Sequence, residues 1–249
     1  MVWLAEVKAA IANVAGEYVC QQDLNLYKTP AADSLVTQAA GGRHLRLLRV
    51  VETAIAVRLA EDDYPGWLPL SDWPYLQPTQ QPYQAPVLSA ATIQTRLPQV
   101  IAFAEAALNQ PNQYLWGGTL GPDYDCSGLV QTAFATAGIR LPRDAYQQAA
   151  FAQPLDPAQR QPGDLIFFST AERITHVALY LGGDRYLHSS GKDQGRNGIG
   201  LDSLSDASDP ISRTYAAQLH SFGRIVRSYQ PTGQDFSAPS PAANPPLFP

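Results

Sequence analysis

Six prolines, at positions 65, 69, 74, 78, 82 and 86, each lack a backbone N–H donor, so no helix or sheet ladder is expected to run unbroken through that stretch. They divide a chain of 249 residues into two parts of different pattern. Glu17 to Leu68, all but its last residues ahead of them, carries short β-like runs, "EYVC", "LNLY", "HLRLLRVV" and "AIAVRL", broken by turn residues. That spacing suggests a small β-barrel. After them, "LPQVIAFAEAALNQ" sets Val100, Ile101, Ala104 and Leu108 at helical spacing, so a second unit begins near Ala90 with a helix. The expected organisation is a barrel with an N-terminal segment over 1–75, a proline-rich linker over 76–98, an α+β unit over 99–232 and a tail over 233–249. The tail, "GQDFSAPSPAANPPLFP", lacks the apolar density that offsets the entropy of ordering it.

The formal net charge is −5, with Lys and Arg scattered singly. This excludes the clustered basic surface that nucleic-acid binding needs and favours a cationic or amine-bearing ligand. The first residues, "MVWLAEVKAAIANVAGEY", have no basic stretch ahead of their apolar ones and carry Glu6 and Lys8 among them. They do not reach membrane-spanning length, and a cytoplasmic protein without a membrane partner is expected. The two cysteines, Cys20 and Cys126, lie too far apart in the sequence to suggest a disulfide framework.

Cys126 stands in "DYDCSG", just ahead of "LVQTAFATAG". Leu129, Val130, Ala133, Phe134 and Ala137 recur at three- and four-residue spacing, Gly138 is placed to stop the helix, and Pro142 follows. Cys126 therefore opens a buried helix. Positive potential at a helix N-terminus stabilises thiolate over thiol, so a lowered pKa is expected of a nucleophile there. A small buried hydrophobe fits the same position, and position alone leaves both readings open.

Two of the four histidines share one predicted hairpin, "HVALYLGGDRYLHSS", which follows a strand over "GDLIFFS". With a three-residue loop at Gly182, Gly183 and Asp184, Leu181 pairs with Arg185 and Ala178 with His188. His176 and His188 then meet on one face. A two-residue loop without a bulge would separate them. A thiol nucleophile needs an imidazole as base and a third group to orient that ring, roles that Cys126, His176 and His188 can fill. Zinc is the rival use of such residues, but neither C-x-x-C nor H-E-x-x-H spacing occurs. No metal or cofactor is expected.

The segments "YLWGG", "DCSGLVQTAFATAGIRLPRDAYQQ", "PGDLIFF", "HVALYLG" and "YLHSSG" together resemble the NlpC/P60 family of cysteine peptidases, over about Tyr114 to Ser190. The resemblance implies a papain-like α/β fold with Cys126 as nucleophile, His176 as base and His188 as the polar group that orients it. It also implies that Asp125 and Tyr114 line the cleft, with the Tyr114 hydroxyl helping to hold the oxyanion. Such enzymes typically cut the bond between γ-D-Glu and a diamino acid in cell-wall peptides. The segments "YVCQQDLNLYKTP", "VTQAAGGRHLRLL" and "VRLAEDDYPGWLP" resemble a bacterial SH3-like barrel.

The chain is thus expected to be a two-domain γ-D-glutamyl-diamino acid endopeptidase acting on free murein peptides with an N-terminal L-Ala, with the barrel contacting the catalytic domain. Asp63, Tyr64, Tyr114, Asp125 and Ser127 are the candidate substrate-binding residues. Asp125 and Ser127 also suit plain helix capping, and "EDDYPGW" also reads as a solvated turn. An N-acetylmuramoyl-L-alanine amidase and a non-catalytic wall-peptide binding module are the alternatives.

Overall fold

A computed structural model describes residues 2–12, 16–171 and 173–233; the tail beyond Gly233 lies outside them. Helix α1 (Val2–Ala12) is followed by β1 (Glu17–Cys20), β2 (Leu24–Tyr27), β3 (Leu35–Ala39), β4 (His44–Val50), β5 (Ala54–Leu59), β6 (Pro65–Pro69) and β7 (Leu76–Thr79). These strands form one sheet in the order β3-β2-β6-β5-β4-β1-β7, and its paired neighbours run antiparallel. Leu26, Leu45, Ile55, Val57, Leu59 and Leu68 fill its core without exposure. Val7, also fully buried, fixes α1 to this core. Burying such a side chain contributes about 1.5–3 kcal/mol.

The stretch expected to be a linker holds more structure than its prolines suggest. Pro65 opens β6, and Pro78 lies on β7, an outer strand of the sheet, so each missing N–H falls where proline is tolerated. Helix α2 (Ala90–Leu108) starts at the Ala90 expected for the second unit, so it occupies the end of the 76–98 stretch, and it runs through Pro98. Two features support it across that interruption. Ser89 caps its start by accepting from the Thr92 backbone N–H at 3.1 Å, and Ile93, Leu97, Val100 and Ala104 keep one buried face on both sides of the proline. The irregular connection shrinks to residues 80–89.

Beyond it come α3 (Cys126–Thr136), α4 (Ala145–Phe151), β8 (Gln153–Leu155), β9 (Leu165–Thr170), β10 (Arg173–Gly182), β11 (Arg185–Ser190), β12 (Gly198–Ser203), α5 (Pro210–Ala217) and β13 (Leu219–Arg224). The second sheet is ordered β12-β11-β10-β9-β13-β8. Helices α2 and α3 share a core with its strands through Ile93, Val100, Val130, Phe134, Leu165, Val177 and Leu187. The overall class is α+β, an SH3-like barrel followed by a mixed helix-and-sheet unit.

The two units touch through specific polar contacts. Gln38 Oε1 on β3 accepts from the backbone N–H groups of Thr119 and Leu120, and Gln131 Nε2 on α3 donates to Asp62 at 2.9 Å. Residues 228–233 then return over the barrel, where Asp63 accepts from the Thr232 and Gly233 backbone N–H groups and from the Tyr229 hydroxyl.

Candidate active site

Helix α3 is built so that its first residue cannot drift. Asp125 caps it, taking the Gly128 N–H on Oδ1 at 2.7 Å and the Gly117 N–H on Oδ2 at 2.9 Å. The "YLWGG" loop thereby lies against the start of the helix. The glycine in "DCSG" has a steric reason, because a Cβ on Gly128 would collide with the Gly118 carbonyl oxygen. Arg143, 1% exposed, grips both Asp125 oxygens, at 3.0 and 2.6 Å, as well as the Ser127 hydroxyl at 2.9 Å. Its Nε reaches Thr37 of the barrel at 3.0 Å. The nucleophile's helix and the barrel are thus tied through one guanidinium. Removing one partner of such a buried pair costs about 3–5 kcal/mol.

The backbone N–H of Val177, the residue after His176, acts on the Cys126 sulfur and favours its thiolate. Burial, followed by the Asp125 charge, pushes the thiol up to about 12, against the lowering expected from the helix start. The reason is desolvation: the helix dipole acts on a sulfur that has lost its water. Burial and then His188 hold His176 well below the ordinary histidine value. Both partners are therefore neutral at rest. Cys20 is likewise buried, and burial pushes its thiol up to about 11.

The histidines do meet on one face. Leu179 pairs with Leu187 and Tyr180 with Tyr186, but Gly182, not Leu181, pairs with Arg185. The loop is therefore two residues long, and a bulge at Leu181 supplies the extra residue that keeps both rings on the same side. His176 Nε2 lies 2.7 Å from His188 Nδ1. Tyr215 of α5 packs on both imidazoles, with centroids 4.6 and 4.7 Å away, and its hydroxyl bonds Ser190 Oγ at 2.7 Å. Two more groups behind the rings, Asp202 and Arg196, escaped the sequence reading, because only the β11–β12 pairing brings them there.

In front of the sulfur lies a cleft of about 280 Å³, lined by Cys126, Asp125, Ser127, Tyr114 and Trp116 on one side and by Val36 and Tyr64 of the barrel on another. Asp144, Ala145 and Tyr146 at the start of α4, with Arg173, Ile174 and Thr175 of β10, complete it. Four of the five candidate binding residues thus share one cavity. Asp63 does not line it: with φ +58 its backbone is left-handed, and its carboxylate is engaged by residues 229–233. Asp125 lines the cleft, but its oxygens are taken up by Arg143, Gly117 and Gly128. Asp144, not singled out from sequence, is the acid that faces Tyr64, whose hydroxyl donates to its Oδ1 at 3.2 Å. Burial pushes Asp144 up to about 6. Burial first, and then Cys126 and Asp125, raise the Tyr114 phenol, so that it lines the cleft as a donor rather than an anion. Among the described residues no three of His, Cys, Asp and Glu are arranged to hold a metal ion, and no helix is long and apolar enough to cross a membrane.

Comparison with known proteins bears on both units. Residues 111–219 match the NlpC/P60 family, and residues 26–72 match the bacterial dipeptidyl-peptidase Sh3 domain. The chain is 38% identical over 126 residues to the bifunctional muramidase/DL-endopeptidase CwlT of Bacillus subtilis, covering 49% of this chain and 35% of that protein. It is 43% identical over 79 residues to the γ-D-glutamyl-L-lysine dipeptidyl-peptidase of the same organism, covering 30% and 27%. The chain therefore spans only about a third or less of either relative's length. A solved NlpC/P60 family protein from Bacillus cereus superposes over 88% of this chain and 66% of its own, with 22% identity and a TM-score of 0.46. Residues 111–219 are an NlpC/P60 domain, and residues 26–72 ahead of it are a bacterial SH3 domain.

Proposed function

We propose that the protein is a cysteine endopeptidase that cuts the γ-D-glutamyl to diamino acid bond of free murein peptides bearing an N-terminal L-Ala. The observation that carries this reading is the cleft in which Cys126, at the start of α3, faces residues of the barrel, with the bonded His176–His188 pair on the strands whose Val177 N–H acts on the sulfur. His176 takes the Sγ proton as sulfur attacks the γ-carbonyl carbon and the S–C bond forms. Backbone N–H groups at the start of α3 and the Tyr114 hydroxyl hold the resulting oxyanion. When the C–N bond breaks, His176 passes the proton to the leaving amine of the diamino acid. Water, losing a proton to His176, then attacks the thioester, releasing the L-Ala-γ-D-Glu carboxylate and returning the proton to sulfur. Two neutral groups suit this sequence, since thiolate and imidazolium form together and offset each other's charge.

Val36 and Tyr64 close the cleft on the barrel side, so a substrate has to end there. The L-Ala ammonium then faces Asp144 and the Tyr64 hydroxyl, with Asp125 already bonded and Asp63 outside the cleft. A substrate confined to released peptides suits murein recycling in the cytoplasm. His176→Ala is expected to cost more of kcat than His188→Asn, because an amide still bonds a ring nitrogen while nothing replaces the proton carrier. Equal losses, measured as initial rates on one tripeptide, would reverse the assignment of roles.

The pH profile tests the amine subsite. Free Asp144, raised to about 6, is a carboxylate above that pH and takes up a proton below it, which removes the ammonium's counter-charge. The value of kcat/KM should therefore fall along an acid limb as pH drops through about 6. Asp144→Asn should weaken binding at neutral pH and erase this limb. If that limb persists in Asp144→Asn, the ammonium is held elsewhere.

A further inference from the structure

The two histidines end on a pair of residues that the proposed reaction does not call upon. His188 Nε2 lies 2.6 Å from Asp202 Oδ2, and Asp202 Oδ1 accepts from Arg196. His188 is fully buried, and Asp202 and His176 are 6% and 8% exposed. The β11–β12 register places them: Tyr186 pairs with Asp202 and His188 with Gly200, so Asp202 is the diagonal neighbour of His188 on one face. Gly200 leaves the space that Arg196 occupies, since a Cβ there would collide with its guanidinium.

Counting donors along this chain assigns the protons. Arg196 can only donate, and its partner carboxylate accepts on both oxygens. His188 Nε2 must then carry a hydrogen. Burial lowers both imidazoles, so each carries one proton at neutral pH. His188 Nδ1 is consequently bare and accepts from His176 Nε2–H. The nitrogen left bare on His176 is Nδ1.

We infer that Asp202, held by Arg196, is a positioning residue that sets the tautomer of both histidines and leaves His176 Nδ1 free to take the proton of Cys126. The catalytic part of this inference rests on the reading of His176 as the base; the tautomers themselves do not. An asparagine at 202 inverts the pattern without changing the shape. Arg196 claims its one oxygen, the amide NH2 faces His188 Nε2, and that nitrogen must become the acceptor. The hydrogen moves to His188 Nδ1, then to His176 Nδ1, and the base is capped.

Nitrogen-15 NMR of histidine-labelled protein reads the tautomers directly, and steady-state rates on a free L-Ala-γ-D-Glu-diamino acid tripeptide read the consequence. Wild type should show Nε2–H on both histidines, and so should Cys126→Ala, in which no turnover is required. Asp202→Asn should show Nδ1–H on both and lose kcat on the order of 10³–10⁴-fold, with KM changed less than about twofold. Adding Arg196→Met to Asp202→Asn frees the amide to turn its oxygen toward His188, and should restore the Nε2–H pattern and at least about tenfold of the lost kcat. Nδ1–H on either histidine in wild type would overturn the inference even if no variant folds. A slow Asp202→Asn enzyme that keeps Nε2–H on both rings would also overturn it. Absence of hydrolysis by wild type with Nε2–H on both rings would count against the proposed function and leave the tautomer assignment standing.

Discussion

Cys126→Ala is expected to lower kcat on the order of 10⁵-fold while the protein stays folded. No other side chain in the cleft can form the acyl intermediate. Ser127, the neighbouring hydroxyl, is held by Arg143 and Asp125 and points to the helix cap. Stability should change little, by roughly 1 kcal/mol, because the lost group is one sulfur at a helix end and the cap of α3 depends on Asp125 instead. Cys20→Ala gives the opposite pattern: full activity, with some loss of stability from the barrel core that Cys20 helps to fill. Initial rates and thermal melts of the two variants separate these effects. Hydrolysis near the wild-type rate by Cys126→Ala would remove the nucleophile from the account.

The second large effect concerns the substrate's amino end. A tripeptide with a free L-Ala amine is expected to be cleaved with a kcat/KM roughly 10²–10³-fold above that of the same peptide acylated on that amine, the size of a buried charge losing its partner. The physical cause is twofold. An acyl group meets Val36 and Tyr64 where the cleft closes, and it puts a neutral amide where the ammonium would pair with the buried Asp144 carboxylate. Asp144→Asn should narrow the preference from the electrostatic side alone, leaving the steric part. Equal cleavage of free and muramic acid-linked peptides would refute the closed cleft without touching the role of Cys126.

Where sequence reasoning succeeded, the signal was local. Helix α3 announces itself by apolar spacing from Leu129 to Ala137, and the two histidines by lying twelve positions apart across one turn. Even so, the hairpin reached the expected face through a bulge at Leu181 instead of a longer loop. What stayed hidden depended on contacts distant in sequence or on burial. Asp202 becomes relevant only when β12 pairs with β11, and Arg143 only when the barrel docks Thr37 against it. Asp63 and Tyr64 are adjacent in sequence, yet the left-handed backbone at Asp63 commits its carboxylate to residues 229–233 while Tyr64 lines the cleft. The Cys126 thiol is raised and not lowered for a related reason, since a helix start is legible in sequence and the loss of water around it is not. Prolines misled where β7 turned out to be an outer strand and where capping and a continuous apolar face sustained α2.

Mass spectrometry of a single digest decides which bond is cut. The wild-type protein is incubated at neutral pH with L-Ala-γ-D-Glu-diamino acid and, in the same tube, with that peptide linked through its amine to muramic acid. L-Ala-γ-D-Glu and free diamino acid should accumulate from the first peptide while the second persists. Release of intact tripeptide from muramic acid would identify an amidase, and a free tripeptide that binds but survives unchanged would identify a binding module; either result contradicts the account.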